Sequence, residues 1–205
     1  MQNSIEPYRG AARNAALSAG FYPIMFEHWT ARDQRRPVAE CLRRVSEADV
    51  LVAIVAYRYG WVPDPPDQPL GGHQSVTWLE CEQAQREHKE ILPFLVHRDA
   101  AWPIERKDSH RLSVAMEEGN YTEELAKRVG RDIAGLREFK RWLEEGRLWG
   151  SFKNVDEFEG KMGNTLRDWR DRHPEFRPPP VSLGDPRKYL ESLREQTQWI
   201  DIRGL

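Results

Sequence analysis

Two short stretches hold most of the residues that could do chemistry. Tyr57-Arg58-Tyr59-Gly60-Trp61 sets a guanidinium among aromatic rings, and Ser75-Val76-Thr77-Trp78-Leu79-Glu80 sets hydroxyls, an indole and one carboxylate close together. Around a single cleft these groups would offer a cation for an anionic ligand, flat faces for a planar ring, and a carboxylate able to stabilise developing positive charge. Each also has a structural reading. Thr77-Trp78-Leu79-Glu80 fits a capping box, in which Thr77 would be the N-cap and Glu80 would reach back to its backbone N–H, a device worth about 1 kcal/mol. Ser75 suits a helix cap as well as a ligand hydroxyl. Arg58 could meet a diphosphate bidentately or pair with a neighbouring carboxylate, and Tyr59 and Trp61 could stack on a base or pack beneath a loop. Arg32, Arg35 and Arg36 make either a solvated face or a ligand contact.

The elements that must position these groups follow from hydrophobic spacing. Ile5, Tyr8, Ala12, Ala15, Ala16 and Ala19 recur every three or four residues, predicting a helix over Ser4–Ala19 that stops at Gly20. Phe21–Met25 has the length of a buried strand. Pro37 opens a second helix whose face is Val38, Cys41, Leu42 and Val45. Val50–Ala56 is a continuous apolar, β-branched run, as expected of a strand covered on both faces. Four prolines and two glycines in Pro63–Gly72 predict a loop. Trp78–His88 reads as helix, Ile91–Val96 as strand, Arg98–Thr122 as mostly loop, Glu123–Glu145 as a charged helix, and Leu148–Phe152 as a short strand. In the helix Val155–Arg172, the residues Phe158, Met162, Leu166 and Trp169 form one stripe. Helices alternating with strands across connections too long for hairpins predict an α/β fold with a parallel sheet. In such sheets ligands sit outside the carboxyl ends of the strands, where both chemical stretches should lie.

Beyond this domain, residues 1–172, the segment 173–205 reads as a stiff linker (His173-Pro174, Pro178-Pro179-Pro180), a short helix near Pro186–Arg194, and an apolar end, Trp199 to Leu205, that resembles a docking segment.

Composition narrows the classes. With 31 basic and 33 acidic residues in 205, the net charge is −2 and no global field exists to hold nucleic acid or anionic lipid. The longest apolar run, Val50–Ala56, is far short of the roughly 18 residues of a membrane helix, and the first residues lack a signal-peptide layout, so a cytoplasmic protein is expected. Mean hydropathy is −0.77, but eight Trp, seven Phe and six Tyr can build a core from few residues. Cys41 and Cys81 fall inside helical patterns and read as small buried residues. The six histidines show no metal-ligand spacing, and HExxH, P-loop, GxGxxG and GxSxG motifs are absent. No cofactor is expected.

Met25-Phe26-Glu27 through Asp33-Gln34, Pro37 to Leu42, Ala48-Asp49-Val50, Arg58 to Pro63, Ser75 to Ala84 and Ile91 to Val96, taken in order, resemble a bacterial family of unknown function regarded as a divergent branch of the Toll/interleukin-receptor (TIR) fold. The resemblance covers roughly residues 5–100 and weakens towards 172. It implies a flavodoxin-like, TIR-like sheet and, by analogy with enzymatic relatives, cleavage of NAD at the nicotinamide–ribose bond by a glutamate two residues after a Trp and four before a small residue. Trp78, Glu80 and Ala84 match that spacing, which makes Glu80 the catalytic candidate and Arg58, Tyr59, Gly60, Trp61, Ser75 and Trp78 the substrate-binding candidates, with Tyr59 and Trp61 facing adenine or nicotinamide. Loss of a carboxylate that steadies the ribosyl cation costs on the order of 3 kcal/mol, a hundredfold or more in rate. Relatives open with a strand that this chain apparently lacks, a central one. The end from Tyr189 to Leu205 resembles a connector to a NACHT-type signalling ATPase. The resemblance therefore implies an N-terminal effector of a defence-type protein. The alternative is a non-catalytic module that signals by self-association, and a nucleoside-deoxyribosyltransferase-like activity is a third reading.

Overall fold

The computed structural model describes residues 6–25, 37–64, 72–176 and 198–203, the last as backbone pairing. Helix α1 (Glu6–Ser18) buries Ala11, Ala12, Ala15 and Ala16, small side chains that let it lie close to α6 (Val155–Arg172). Its end is set at Gly20, whose φ of +83° is cheap only without a Cβ, and Arg170 Nη1 donates to the Ala19 carbonyl at 2.7 Å, tying the two helices together. Strand β1 (Phe21–Ile24) follows, then α2 (Pro37–Glu47), β2 (Val50–Val55), α3 (Val76–Arg86) and β3 (Glu90–Val96). A 3₁₀ turn (Ile104–Arg106), α4 (His110–Glu117), α5 (Glu123–Glu144), β4 (Gly150–Phe152), α6 and β5 (Gln198–Arg203) complete the order.

All five strands are parallel, in the order β1-β5-β2-β3-β4. Every residue of β2 is buried, and its side chains divide by alternation: Val50, Val52 and Ile54 join the core under α1 and α6, while Leu51, Ala53 and Val55 join the core under α2, α3 and α5. The stripe Phe158, Met162, Leu166 and Trp169 is buried beneath the sheet as its spacing requires.

One expectation is corrected. The sheet does not lack its centre: β5 occupies the position between β1 and β2, with Ile200 paired to Pro23 on one side and Val50 on the other. The apolar end predicted to dock therefore docks in its own sheet. Arg98–Thr122 is mostly loop, as expected, and also carries the 3₁₀ turn and α4. Arg32, Arg35, Arg36, Pro178–Pro180 and the short helix expected near Pro186–Arg194 lie outside the described residues. Among the described residues no helix is long and apolar enough to cross a membrane, and no group of three or more His, Cys, Asp or Glu could hold a metal ion.

Candidate functional site

Helix α3 begins at the carboxyl edge of the sheet, and its exact start decides what Glu80 is for. Two good N-cap residues compete there, Ser75 and Thr77. The structure uses Ser75, fully buried, with extended backbone (φ −69°, ψ 156°) and a hydroxyl that accepts from the Trp78 N–H at 3.4 Å. The Val76 N–H is taken by the Trp61 carbonyl at 2.9 Å, which stitches the loop after β2 to the helix start. The Thr77–Glu80 capping box is thereby overturned. Counted from Ser75, Glu80 is the fifth helical residue rather than the third, beyond reach of the cap, and it is 2% exposed with Oε1 shielded from solvent. Leu79, Cys81 and Ala84 are buried beside it.

The loop after β2 is held at several points. Gly60 turns it with φ +89°, a left-handed conformation that its side-chain-bearing neighbours would resist. Tyr59 is buried: its N–H donates to Asp108 Oδ2 at 2.8 Å, its hydroxyl donates to the His73 carbonyl at 2.9 Å, and burial pushes the phenol up to about 12. Its ring meets Trp78 edge-on, centroids 6.5 Å apart, and Trp78 in turn stacks on Phe139 at 5.3 Å and 22°. Tyr59 and Trp78 thus pack between loop, α3 and α5 and do not present free faces; Trp61, 53% exposed, does. Arg58 has no carboxylate partner among the described residues. Its Nη2 donates to the Glu105 carbonyl at 3.2 Å, and its Nε is buried without a hydrogen-bond partner.

Spacing gave no hint of Asp108. Buried to 5% exposure, it accepts from Tyr59, pairs with Arg111 at 3.4 Å, and donates its own N–H to the Tyr57 carbonyl at 3.1 Å, fastening the loop after β3 to the loop after β2. Arg111 also reaches Asp132 of α5 at 2.7 Å. Partners 49 positions apart in the chain leave no local signature.

A broad cavity of about 1510 Å³ opens at the opposite edge, around Asp49, Glu90, Trp149, Arg172, His173 and Phe176, and none of the sequence-based candidates lines it. Tyr59, Trp61, Ser75 and Trp78 come together instead where the loop after β2 meets the start of α3.

The model of a family described as "Domain of unknown function (DUF4062)" matches residues 2–167. The chain belongs to this family. The match takes in both chemical stretches and every described element except β5 and the last turn of α6 with the 3₁₀ turn after it. No curated protein and no solved structure matches the chain.

Proposed function

We propose that this DUF4062 domain is a TIR-like effector that binds NAD at the carboxyl edge of its sheet and hydrolyses the nicotinamide–ribose bond, with Glu80 steadying the ribosyl cation. The observation that carries this reading is the burial of Glu80 in the second turn of α3, away from any capping duty. In a low-dielectric site a carboxylate acts more strongly on a nearby positive charge than it would in water. In the reaction the C1′–N bond breaks, its electron pair leaves with neutral nicotinamide, water oxygen bonds to C1′, and a proton is released. Because the positive charge on the ribose is largest in the transition state, Glu80 lowers the barrier more than it tightens substrate binding. The order β1-β5-β2-β3-β4 supports a flavodoxin-like reading: with β5 taken as the first strand, it becomes the order 2-1-3-4-5.

The full chain incubated with NAD, alone and clustered through a fused oligomerisation tag, should release nicotinamide detectable by chromatography. Glu80→Gln should lower the rate a hundredfold or more while leaving circular dichroism unchanged. Equal rates for the two proteins, or no release from the clustered chain, would remove the enzymatic reading.

A second reading, self-association without catalysis, is favoured by one observation. Leu148 (99% exposed) and Trp149 (46% exposed) stand just before the edge strand β4, where two exposed apolar side chains in a row suit contact with another protein. A second copy, or a downstream NACHT-type ATPase, is the partner proposed. Assembly that depends on concentration and is lost in Trp149→Glu would support it.

A further inference from the structure

Lys107 lies in the loop after β3 and Lys140 in α5, yet both ammonium groups stand over the ring of Tyr57, with Nζ 4.6 and 5.0 Å from its centroid. Tyr57 is itself anchored, its hydroxyl donating to the carbonyls of His97 and Arg98 at 3.3 Å each. The adjacent Arg58 uses Nη2 on the Glu105 carbonyl and keeps a buried Nε with no acceptor. Among the described residues no carboxylate lies within 4.0 Å of any of these three cations.

Two ammonium groups over one ring and outside any close ion pair stand out in a chain with more acids than bases. Elsewhere the cations pair readily, as Arg43 and Arg44 do with Glu40 and Glu47, Lys161 with Glu157, and Arg172 with Glu90. Here two ammonium groups share one ring, the ring face offsets part of their repulsion, and burial depresses the Lys140 ammonium, with Glu144 the one carboxylate opposing the shift. Asp99 is the acidic group whose charge reaches Tyr57 from the loop after β3. A multiply charged anion seated between the two ammonium groups would relieve this arrangement, and the carboxyl edge of a parallel sheet is where such ligands lie.

We infer that Lys107 and Lys140, gathered over Tyr57, with Arg58 next to it in the chain, form a subsite for the phosphoryl or diphosphoryl group of a small phosphorylated ligand. Lys107 and Lys140 are half-buried rather than spread over a face, and the net charge of −2 supplies no long-range field, so a small ligand fits better than a polymer or a bilayer surface. The subsite stands whether or not Glu80 cleaves a glycosidic bond.

The test is calorimetric titration of the full chain with inorganic pyrophosphate, and separately with ADP. Both should saturate and compete. Lys107→Gln and Lys140→Met should each weaken pyrophosphate about tenfold or more, the loss expected for one charge-assisted hydrogen bond. Lys140→Arg should retain most of the affinity, and Lys161→Gln, at an ammonium already held by Glu157 and the Ser151 carbonyl, should leave it unchanged. Glu80→Gln should also bind pyrophosphate normally, so a failed hydrolase reading leaves this result intact. Titrations that do not saturate by about 10 mM, lysine variants that bind as wild type does, or lysine-dependent sedimentation with phosphatidylserine vesicles would each overturn the inference.

Discussion

Gly135 in α5 is where the loop after β2 and the outer helix come closest. A Cβ built there would lie 2.6 Å from Tyr59 Cζ and 2.7 Å from Cε1, against the 3.4–4 Å of an ordinary contact. The ring has little room to yield, because its hydroxyl is bonded to the His73 carbonyl and its edge rests on Trp78. Gly135→Ala therefore sets two effects against each other. Helix propensity favours alanine by about 1 kcal/mol, while overpacking of this kind costs about 1–3 kcal/mol. With a contact this short and a neighbour this constrained, overpacking wins, and the expected net loss is about 1–2 kcal/mol. Gly130, in the same helix, is an internal control: nothing lies within 4 Å of its added Cβ, so Gly130→Ala should stabilise by about 0.5–1 kcal/mol. Urea denaturation of both variants, compared at equal slope, reads the difference. A Gly135→Ala protein as stable as Gly130→Ala would refute the reasoning, since it would mean that α5 and Tyr59 separate freely and that the loop is not clamped.

Three further outcomes follow from the same geometry. Ser75→Ala should cost about 0.5–1 kcal/mol, the lower part of the N-cap range because the bond is long at 3.4 Å, whereas Thr77→Ala should stay within about 0.5 kcal/mol; thermal melts separate the two. The Tyr59 phenol ionises more easily unfolded than folded, so the stability from its neutral form is intact below pH 10, declines above it, and is gone once pH passes its folded value of about 12; alkaline absorbance titration of wild type minus Tyr59→Phe should show that late ionisation. Ile200→Pro removes a backbone donor from a strand paired on both sides and should cost about 3 kcal/mol or more, with amide-exchange protection lost in β1 and β2 together.

How much of this was legible depended on whether the deciding contact was local. Val50–Ala56 showed itself as a doubly covered strand because burial on both faces demands an unbroken apolar run, and the Phe158-to-Trp169 stripe announced α6 because a single helical face does the burying. Helix α4 was missed for the complementary reason: only Ala115 of its eight residues is buried, so it has no periodic face to read. The cap of α3 turned on a choice between Ser75 and Thr77, two serviceable residues at neighbouring turns of sequence, and the Trp61 carbonyl that favours the earlier start comes from a different loop. Arg58 was weighed between a phosphate and a carboxylate; the Glu105 carbonyl that it uses lies 47 residues away. The lysines over Tyr57 share no pattern at all, since one is in a loop and the other in α5.

The placement of β5 connects these pieces. The connections from β1 to β2, from β2 to β3 and from β3 to β4 carry α2, α3 and α5 on one face, all advancing in one direction across the sheet. After β4 the direction reverses, and α6 returns along the other face, beside α1, before the chain enters β5 between β1 and β2. That reversal sets β5 between β1 and β2, and a change of direction of this kind is where a sheet covered on both faces opens a crevice at its carboxyl ends. Tyr57 to Trp61 leave from β2, Glu80 stands in the first turns of the next helix, and Lys107 follows β3. The strand furthest along the chain is thus the inner neighbour of β2, the strand whose carboxyl end carries Tyr57 to Trp61. Weakening β5 by Ile200→Pro should accordingly lower pyrophosphate affinity as well as stability. A variant that lost stability yet bound pyrophosphate undiminished while still folded would show that the subsite needs only β2, β3 and α5.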